Sequence, residues 1–343
     1  MTPLAGKKLL VAPLDWGLGH ATRCVPIIRD LLNNDCKVWL AGEGTQEKIL
    51  REEFPSLPFL PLQGYRIKYS KSALAGKILL QIPALIRSMN KENKWLKEQV
   101  YEYGFDAVIS DNRYGLYHEN IFSIIITHQL RIKSPFGKWS EGVLQKWNYK
   151  LINRFNECWV PDEKGSDNLG GELSHPKIFP KIPVHYIGPL TRFQKKDIEE
   201  KKEHLLIVLS GPEPQRTILE NEIIDQVINY QGTATIVRGL PEERNIIPST
   251  NFIQFYNHLS AQELNDEMMK AEFVISRSGY STIMDIAALA KKSILVPTPG
   301  QTEQEYLANH LMKKQVALCV TQKEFALLKN IEQARKFMYR KPG

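Results

Sequence analysis

The chain has 343 residues, 43% of them apolar and 24% charged, with 21 glycines and 20 prolines. That composition excludes collagen-like and low-complexity chains, and the length suits two hydrophobic cores better than one or three. The net charge of +7 is uneven, with +6 in residues 1–190 and +1 in residues 191–343, so an anionic partner is expected to meet the N-terminal half.

Cys24, Cys36, Cys158 and Cys319 are too far apart for a CxxC pair or a zinc knuckle, and nothing before Leu9 reads as a signal peptide. No window reaches the length of apolar sequence that a membrane span needs. The expectation is a cytoplasmic protein with free thiols.

Taken in order, Lys8–Pro13 reads as a buried strand, Ala21–Asn33 as a helix with apolar residues at helical spacing, and Cys36–Ala41 as the next strand. Apolar runs recur at residues 107–110, 123–127 and 157–161, which suits a parallel sheet covered on both faces. Residues 188–203 join a turn signal, Gly188-Pro189, to a charge run and read as a linker. The rhythm then restarts. Strands are predicted at 204–209, 233–238, 252–255, 273–276 and 293–297, and helices at 218–230, 281–290 and 303–314. Two doubly wound α/β domains are expected, 1–187 and 188–324, followed by a helix in 325–343 that packs back on the first.

Three motifs can carry chemistry. In Asp15-Trp-Gly17-Leu-Gly19-His20-Ala-Thr22-Arg23, glycines after strand one let a ligand approach a helix N-terminus, a geometry that favours an anion. Thr22 stands where a dinucleotide fingerprint has its third glycine, although Glu43 lies about 20 residues on, where the ribose-binding acid would be. Gly17 and Gly19 equally suit a plain tight turn. Arg277-Ser278-Gly279-Tyr280-Ser281-Thr282-Ile-Met-Asp285 is again strand, glycine turn, helix: amides near Ser281 and Thr282 would face a phosphate and Asp285 a ribose, unless Thr282 and Asp285 form a capping box. Pro297-Thr-Pro-Gly-Gln-Thr-Glu303-Gln304 runs into a helix whose Glu-Gln pair offers the donors and acceptors that sugar hydroxyls require, or simply an acidic first turn.

In combination, Arg277 to Asp285, Ile294 to Pro297 and Glu303 to Asn309 resemble the donor-binding region of glycosyltransferases related to the enzyme that adds N-acetylglucosamine to lipid I. Gly17-Leu-Gly-His-Ala-Thr-Arg23 resembles the N-terminal glycine loop of the same superfamily. The likeness spans both domains and implies the GT-B fold, two Rossmann-like domains facing each other across a cleft. It implies that Ser281 and Thr282 hold the donor diphosphate, Asp285 the ribose and Gln304 the sugar. Ser210-Gly211 would touch phosphate and Asn257-His258-Leu259 the nucleobase, with Ser278, Gly279 and Glu303 in the same site. The family's loop at Ser210 is richer in glycine than Gly211-Pro-Glu-Pro.

The implied reaction is inverting, metal-independent transfer from a nucleotide diphosphate sugar, UDP foremost, to an acceptor hydroxyl, with no cofactor. Helix N-termini and Arg277 would meet the charge of the leaving diphosphate. His20 is the first candidate for general base, with Asp111 and His128 behind it on the same sheet rim.

Residues 54–91 hold no acid but Arg66, Lys68, Lys71, Lys77, Arg87 and Lys91, interleaved with Leu80 and Ile82. Phe136, Trp139, Val143, Trp147 and Leu151 share a helical face beside lysines. Both stretches suit contact with an anionic membrane at the inner face of the cell membrane, bringing a glycan or lipid-linked acceptor, or else a pair of core helices. A nucleotide-sugar hydrolase, an epimerase and a non-catalytic nucleotide or glycan binder remain as alternatives. Nucleic acid is not expected, for no reader motif accompanies the charge.

Overall fold

The computed structural model describes residues 4–65, 74–134 and 136–340, and for residues 74–82 the backbone only. It divides into two units, Met1–Thr191 and Arg192–Gly343.

The first unit runs β1 (Lys8–Pro13), α1 (Leu18–Asn33), β2 (Lys37–Gly42), α2 (Gly44–Glu53), β3 (Phe59–Pro61), α3 (Leu74–Tyr103), β4 (Ala107–Asp111), β5 (Phe122–Ile126), α4 (Lys138–Ile152), β6 (Glu157–Val160) and β7 (Val184–Tyr186). The strands pair in parallel in the order β3-β2-β1-β4-β5-β6-β7. Leu9 to Ala12 and Val108 to Asp111 have no solvent contact, as expected of central strands covered on both faces. Strand order reverses beside β1, where connections leave to opposite sides and open a crevice at the carboxyl ends. The register there sets Pro13 against Asp111.

Below that crevice lies a buried polar network. Arg113, fully buried, donates from Nε to Glu92 on α3 (2.7 Å), from Nη1 to the Pro13 carbonyl (3.2 Å) and from Nη2 to the Gln63 carbonyl (2.5 Å). The Tyr65 hydroxyl donates to Glu92 (2.7 Å) and accepts from the Tyr114 amide (3.0 Å). One guanidinium thus ties α3 to the loops after β1, β3 and β4.

The second unit runs β8 (Lys201–Val208), α5 (Gln215–Val227), β9 (Thr233–Val237), β10 (Ile253–Tyr256), α6 (Ala261–Lys270), β11 (Ala271–Ser276), α7 (Tyr280–Ala288), β12 (Ser293–Leu295), α8 (Thr302–Lys313), β13 (Leu318–Cys319) and α9 (Leu327–Lys336). Its parallel order, β10-β9-β8-β11-β12-β13, repeats the same winding.

Two expectations change, for β8 and for α4. β8 begins inside the charge run, because Lys201 pairs with Ala271, so the stretch before it is shorter than 188–203. α9 buries Leu327, Ile331 and Ala334 in the second unit's core. On α4, Phe136 before its start, Trp139 and Val143 are exposed, but Leu151 is buried with Leu14, Tyr65 and Met89, and Trp147 packs half-buried against that cluster. Arg66, Lys68 and Lys71, and the side chains of Lys77, Leu80 and Ile82, lie outside the described residues. No helix among the described residues is long and apolar enough to cross a membrane.

Replacing Arg113 by Met leaves the Glu92 carboxyl buried without its cation, and the unfolding free energy in urea at pH 8 is expected to fall by about 3–5 kcal/mol. Burial already pushes the Glu92 pKa up, so the loss should shrink toward pH 5, where a protonated carboxyl is easier to bury. A loss that is small, or independent of pH, would contradict this role.

Candidate active site

At the reversal point of the first sheet, three side chains meet around one carboxylate. Gly17, at φ +77°, turns the chain from β1 into α1, a left-handed conformation that suits glycine. No side chain caps α1, and its first turn holds no acid. Three residues apart on α1, His20 and Arg23 share one helix face. Asp111 ends β4 directly beneath that face.

His20 Nδ1 lies 2.9 Å from Asp111 Oδ2. Arg23 Nε donates to the same oxygen (2.8 Å), and its Nη2 donates to Asp111 Oδ1. Asn112 completes the cluster, with its amide nitrogen toward Thr127 Oγ1 (2.8 Å) and its oxygen toward Arg23 Nη2 (3.3 Å). Arg23 Nη2 also stands 2.8 Å from His20 Nδ1. A guanidinium only donates and an ionised carboxylate only accepts, so Nδ1 can serve one of them; Arg23 Nη2 already has Asp111 Oδ1 and the Asn112 oxygen as acceptors, and we assign the Nδ1 proton to Asp111. Nδ1 therefore carries the proton, and Nε2 is left as the acceptor.

The electrostatics agree. Burial alone pushes the Asp111 pKa up, but Arg23 and then His20 outweigh it and hold the carboxyl at about 2. Burial first, then the Arg23 charge, push His20 below the ordinary imidazole value, against the opposing pull of Asp111. The imidazole is thus neutral at pH 7. It is also the cluster's route to solvent: the His20 side chain is 14% exposed, against 2% for Arg23 and 0% for Asp111.

Among the candidate bases, this ranks His20 ahead. Asp111 has no exposure and spends its oxygens on three donors, so it orients the histidine. His128, at 4% exposure, lies behind, near enough that its charge acts on His20. Glu43, at the position of a ribose-binding acid, accepts from the Gly64 amide (2.8 Å) and closes a loop. Gly19 lies in the first turn of α1, where its carbonyl accepts from the Thr22 hydroxyl (3.1 Å).

In the second unit, the loops after β8, β11 and β12 gather at the carboxyl end of the sheet. Gly279 is the N-cap of α7, no side chain caps that helix, and a Cβ at Gly279 would meet nothing within 4 Å. Thr282 and Asp285 fall inside α7, so they do not form a capping box at its start. Ser281, Thr282 and Asp285 are half-buried along its first turns. Gly211 adopts φ +104°, and a Cβ there would stand 3.6 Å from Thr298 Oγ1, which brings the Ser210-Gly211 turn against the loop after β12.

Two of the expected donor-site residues hold neighbouring loops. Arg277 is 1% exposed and donates to the carbonyls of Val296 (3.2 Å), Pro297 (3.3 Å) and Gln215 (2.6 Å). Its fork braces the loop after β12 and the start of α5. Gln304 accepts from the Thr298 amide (2.9 Å) and donates to Gln301 Oε1 (2.6 Å), while its carbonyl accepts from Ser278 Oγ (2.9 Å). Both ends of its amide shape the loop. Glu303 is half-buried beside it. At the opposite edge, Asn257 accepts from Arg238 (2.7 Å) and donates to the Glu243 carbonyl (2.9 Å), fixing the turn before His258.

The role of Arg23 was not visible in the sequence. Its i, i+3 spacing from His20 is the one signal that could have found it.

Comparison with known proteins fits this geometry. Residues 242–342 match the glycosyltransferase family 28 C-terminal domain. The UDP-N-acetylglucosamine--N-acetylmuramyl-(pentapeptide) pyrophosphoryl-undecaprenol N-acetylglucosamine transferase of Haemophilus ducreyi is 23% identical over 330 residues, covering 93% of this chain and 86% of that protein. An uncharacterized glycosyltransferase of Methanosarcina acetivorans is 23% identical over 321 residues, covering 87% and 81%. Among solved structures, the glycosyltransferase of kitacinnamycin superposes with a TM-score of 0.70 at 12% identity, covering 96% of this chain and 90% of that one. The chain is a glycosyltransferase of the GT-B fold, and its residues 242–342 are similar to the family 28 C-terminal domain.

Acid should unbuild the first cluster. Asp111 has a folded pKa below the ordinary 3.8, so its contribution is present above that value and is lost as pH falls toward about 2. The loss is about 1 kcal/mol by pH 3 and about 2 kcal/mol by pH 2. His20 adds a loss in the same direction below 6.5, because the unfolded chain takes its proton more readily. Urea unfolding of the wild type and Asp111→Asn between pH 5 and pH 3 should show the steeper fall in the wild type; parallel curves would contradict the assignment.

Proposed function

We propose that this glycosyltransferase moves a sugar from a UDP-linked donor to an acceptor hydroxyl, with inversion at the anomeric carbon. What carries the proposal is the contact between His20 Nδ1 and an ionised Asp111, which leaves a neutral imidazole with Nε2 as proton acceptor. The acceptor oxygen attacks the anomeric carbon from the face opposite the leaving group. As that C–O bond forms, the bond to the diphosphate breaks, and Nε2 takes the hydroxyl proton. Asp111 stabilises the imidazolium that results, because an ionised carboxylate on Nδ1–H gains attraction as the ring becomes charged.

On the donor side, charge grows on the departing diphosphate. The N-cap of α7 is Gly279, which brings no side chain of its own, and the helix start carries the positive end of the helix dipole, which supports placing the diphosphate there with Ser281 and Thr282. Asp285, one turn along, is assigned to the ribose hydroxyls. Glu303 offers acceptors to the sugar, while Gln304 and Arg277 hold the loops in place.

The acceptor is proposed to be lipid-linked or membrane-borne. The Haemophilus ducreyi relative is named for a pyrophosphoryl-undecaprenol acceptor. Exposed Phe136, Trp139 and Val143, 61%, 84% and 51% accessible beside Lys138, Lys146 and Lys150, form a surface of the kind that settles into the headgroup layer of an anionic membrane.

A ligand that binds only the folded chain raises its apparent stability. In a thermal-shift screen of UDP, GDP, dTDP, CMP and NAD, UDP is expected to stabilise the wild type and to lose that effect in Asp285→Ala. Stabilisation by NAD alone would overturn the proposal. His20→Ala should keep the UDP shift and slow transfer by about 10²–10⁴-fold; equal losses of binding and turnover would assign it to binding.

A further inference from the structure

Asp111 is oriented from two sides, and only one of them is the histidine. Arg23, 2% exposed, takes both carboxylate oxygens from within the unit, and the Asn112 amide, whose nitrogen donates to Thr127 Oγ1, accepts with its oxygen a further hydrogen of the guanidinium. A fork fixed at Nε and Nη2 sets the plane of the carboxylate, and that plane decides where Oδ2 meets an imidazole N–H. A lysine in the same place would supply the charge without the plane.

We propose that Arg23 is a positioning residue for the base: its bidentate grip fixes the carboxylate of Asp111 so that Oδ2, besides accepting from Arg23 Nε, meets the imidazole at Nδ1 and holds it as an Nε2 acceptor. This rests on His20 being the base. It separates two effects of one side chain, charge and geometry, that different substitutions remove.

Among the described residues, the charges that act on His20 come from Arg23 on α1, Asp111 on β4 and His128 in the segment after β5; the buried Cys24 thiol and the Tyr114 hydroxyl face the Asp111–Arg23 pair. Burial raises the Cys24 and Tyr114 pKa values, so both stay neutral through the working range. The charge balance around the ring is therefore set by Asp111 and Arg23, with His128 as the remaining titratable neighbour. With Arg23 present, the carboxylate is compensated and the imidazole takes a proton reluctantly. Without it, Asp111 faces His20 alone and pulls a proton onto the ring.

Long-range ¹⁵N NMR of the full chain, with the His20 signals identified through His20→Gln, reads tautomer and titration without any substrate. The wild type is expected to show Nδ1–H with a midpoint below 6.5. Arg23→Met should raise the proton affinity of His20 tenfold or more, and Arg23→Lys should leave the midpoint near that of the wild type while mixing the two tautomers. In turnover of a UDP-sugar, both variants should lower kcat with KM little changed, and in an Asp111→Asn background Arg23→Met should cause no further loss of kcat. Arg23→Met leaving tautomer and midpoint unchanged, with His20→Ala still inactive, would overturn the proposal and spare the base. Full turnover by His20→Ala would overturn both. If Arg23→Met fails to fold, Arg23→Lys alone decides, because an unmixed Nδ1–H signal there removes the role of the fork.

Discussion

A carboxylate without solvent contact at the end of β4 is the constraint on which the first unit's chemistry depends. Such a charge is tolerated in a protein interior only when it is paired and hydrogen-bonded. Arg23 and His20 meet that demand from one helix face: the carboxylate stays ionised, the histidine donates from Nδ1, and the remaining ring nitrogen is the acceptor on which the proposed base rests. The helix must start where it does, and the turn at Gly17 brings it there within four residues of Pro13. Fold and reactivity here follow from one electrostatic requirement.

The same device recurs in other forms. At the carboxyl end of a parallel sheet, connecting loops leave carbonyls that no neighbouring strand can satisfy, and a guanidinium with five donors can gather several of them. Arg113 holds the Pro13 and Gln63 carbonyls, Arg277 those of Val296, Pro297 and Gln215, and Arg238 that of Asn245. These arginines are framework, and they show why a basic residue beside a glycine turn need not face a ligand. In the proposed donor site, the charge offered to an anion is then the fixed partial charge at the start of α7.

The winding of both units was legible because their central strands are apolar on both faces: Lys8–Pro13, 107–110 and 273–276 could scarcely be anything else. Short edge elements such as β7 and β13, of three and two residues, leave too little pattern to detect. β8 was started late because lysines and glutamates sit on its exposed end, where pairing with β11 outweighs composition. His20 was visible through its motif, whereas Arg23 looked like one more helix cation: what buries it is Asp111, 88 residues further along. The surroundings of Gln304 and Trp147 were not legible for the complementary reason. An amide or an indole can face either way, and only the loop after β12 or the cluster around Leu14 settles which.

The most direct test of this account is the pH dependence of kcat/KM for release of UDP from a UDP-sugar, since that profile reports the ionisation of groups on the unbound protein. An acid limb with a midpoint below 6.5, absent from the residual activity of His20→Gln, is the predicted result. A limb at or above 6.5, or one that persists without His20, would contradict the claim that a neutral imidazole held by Asp111 is the base.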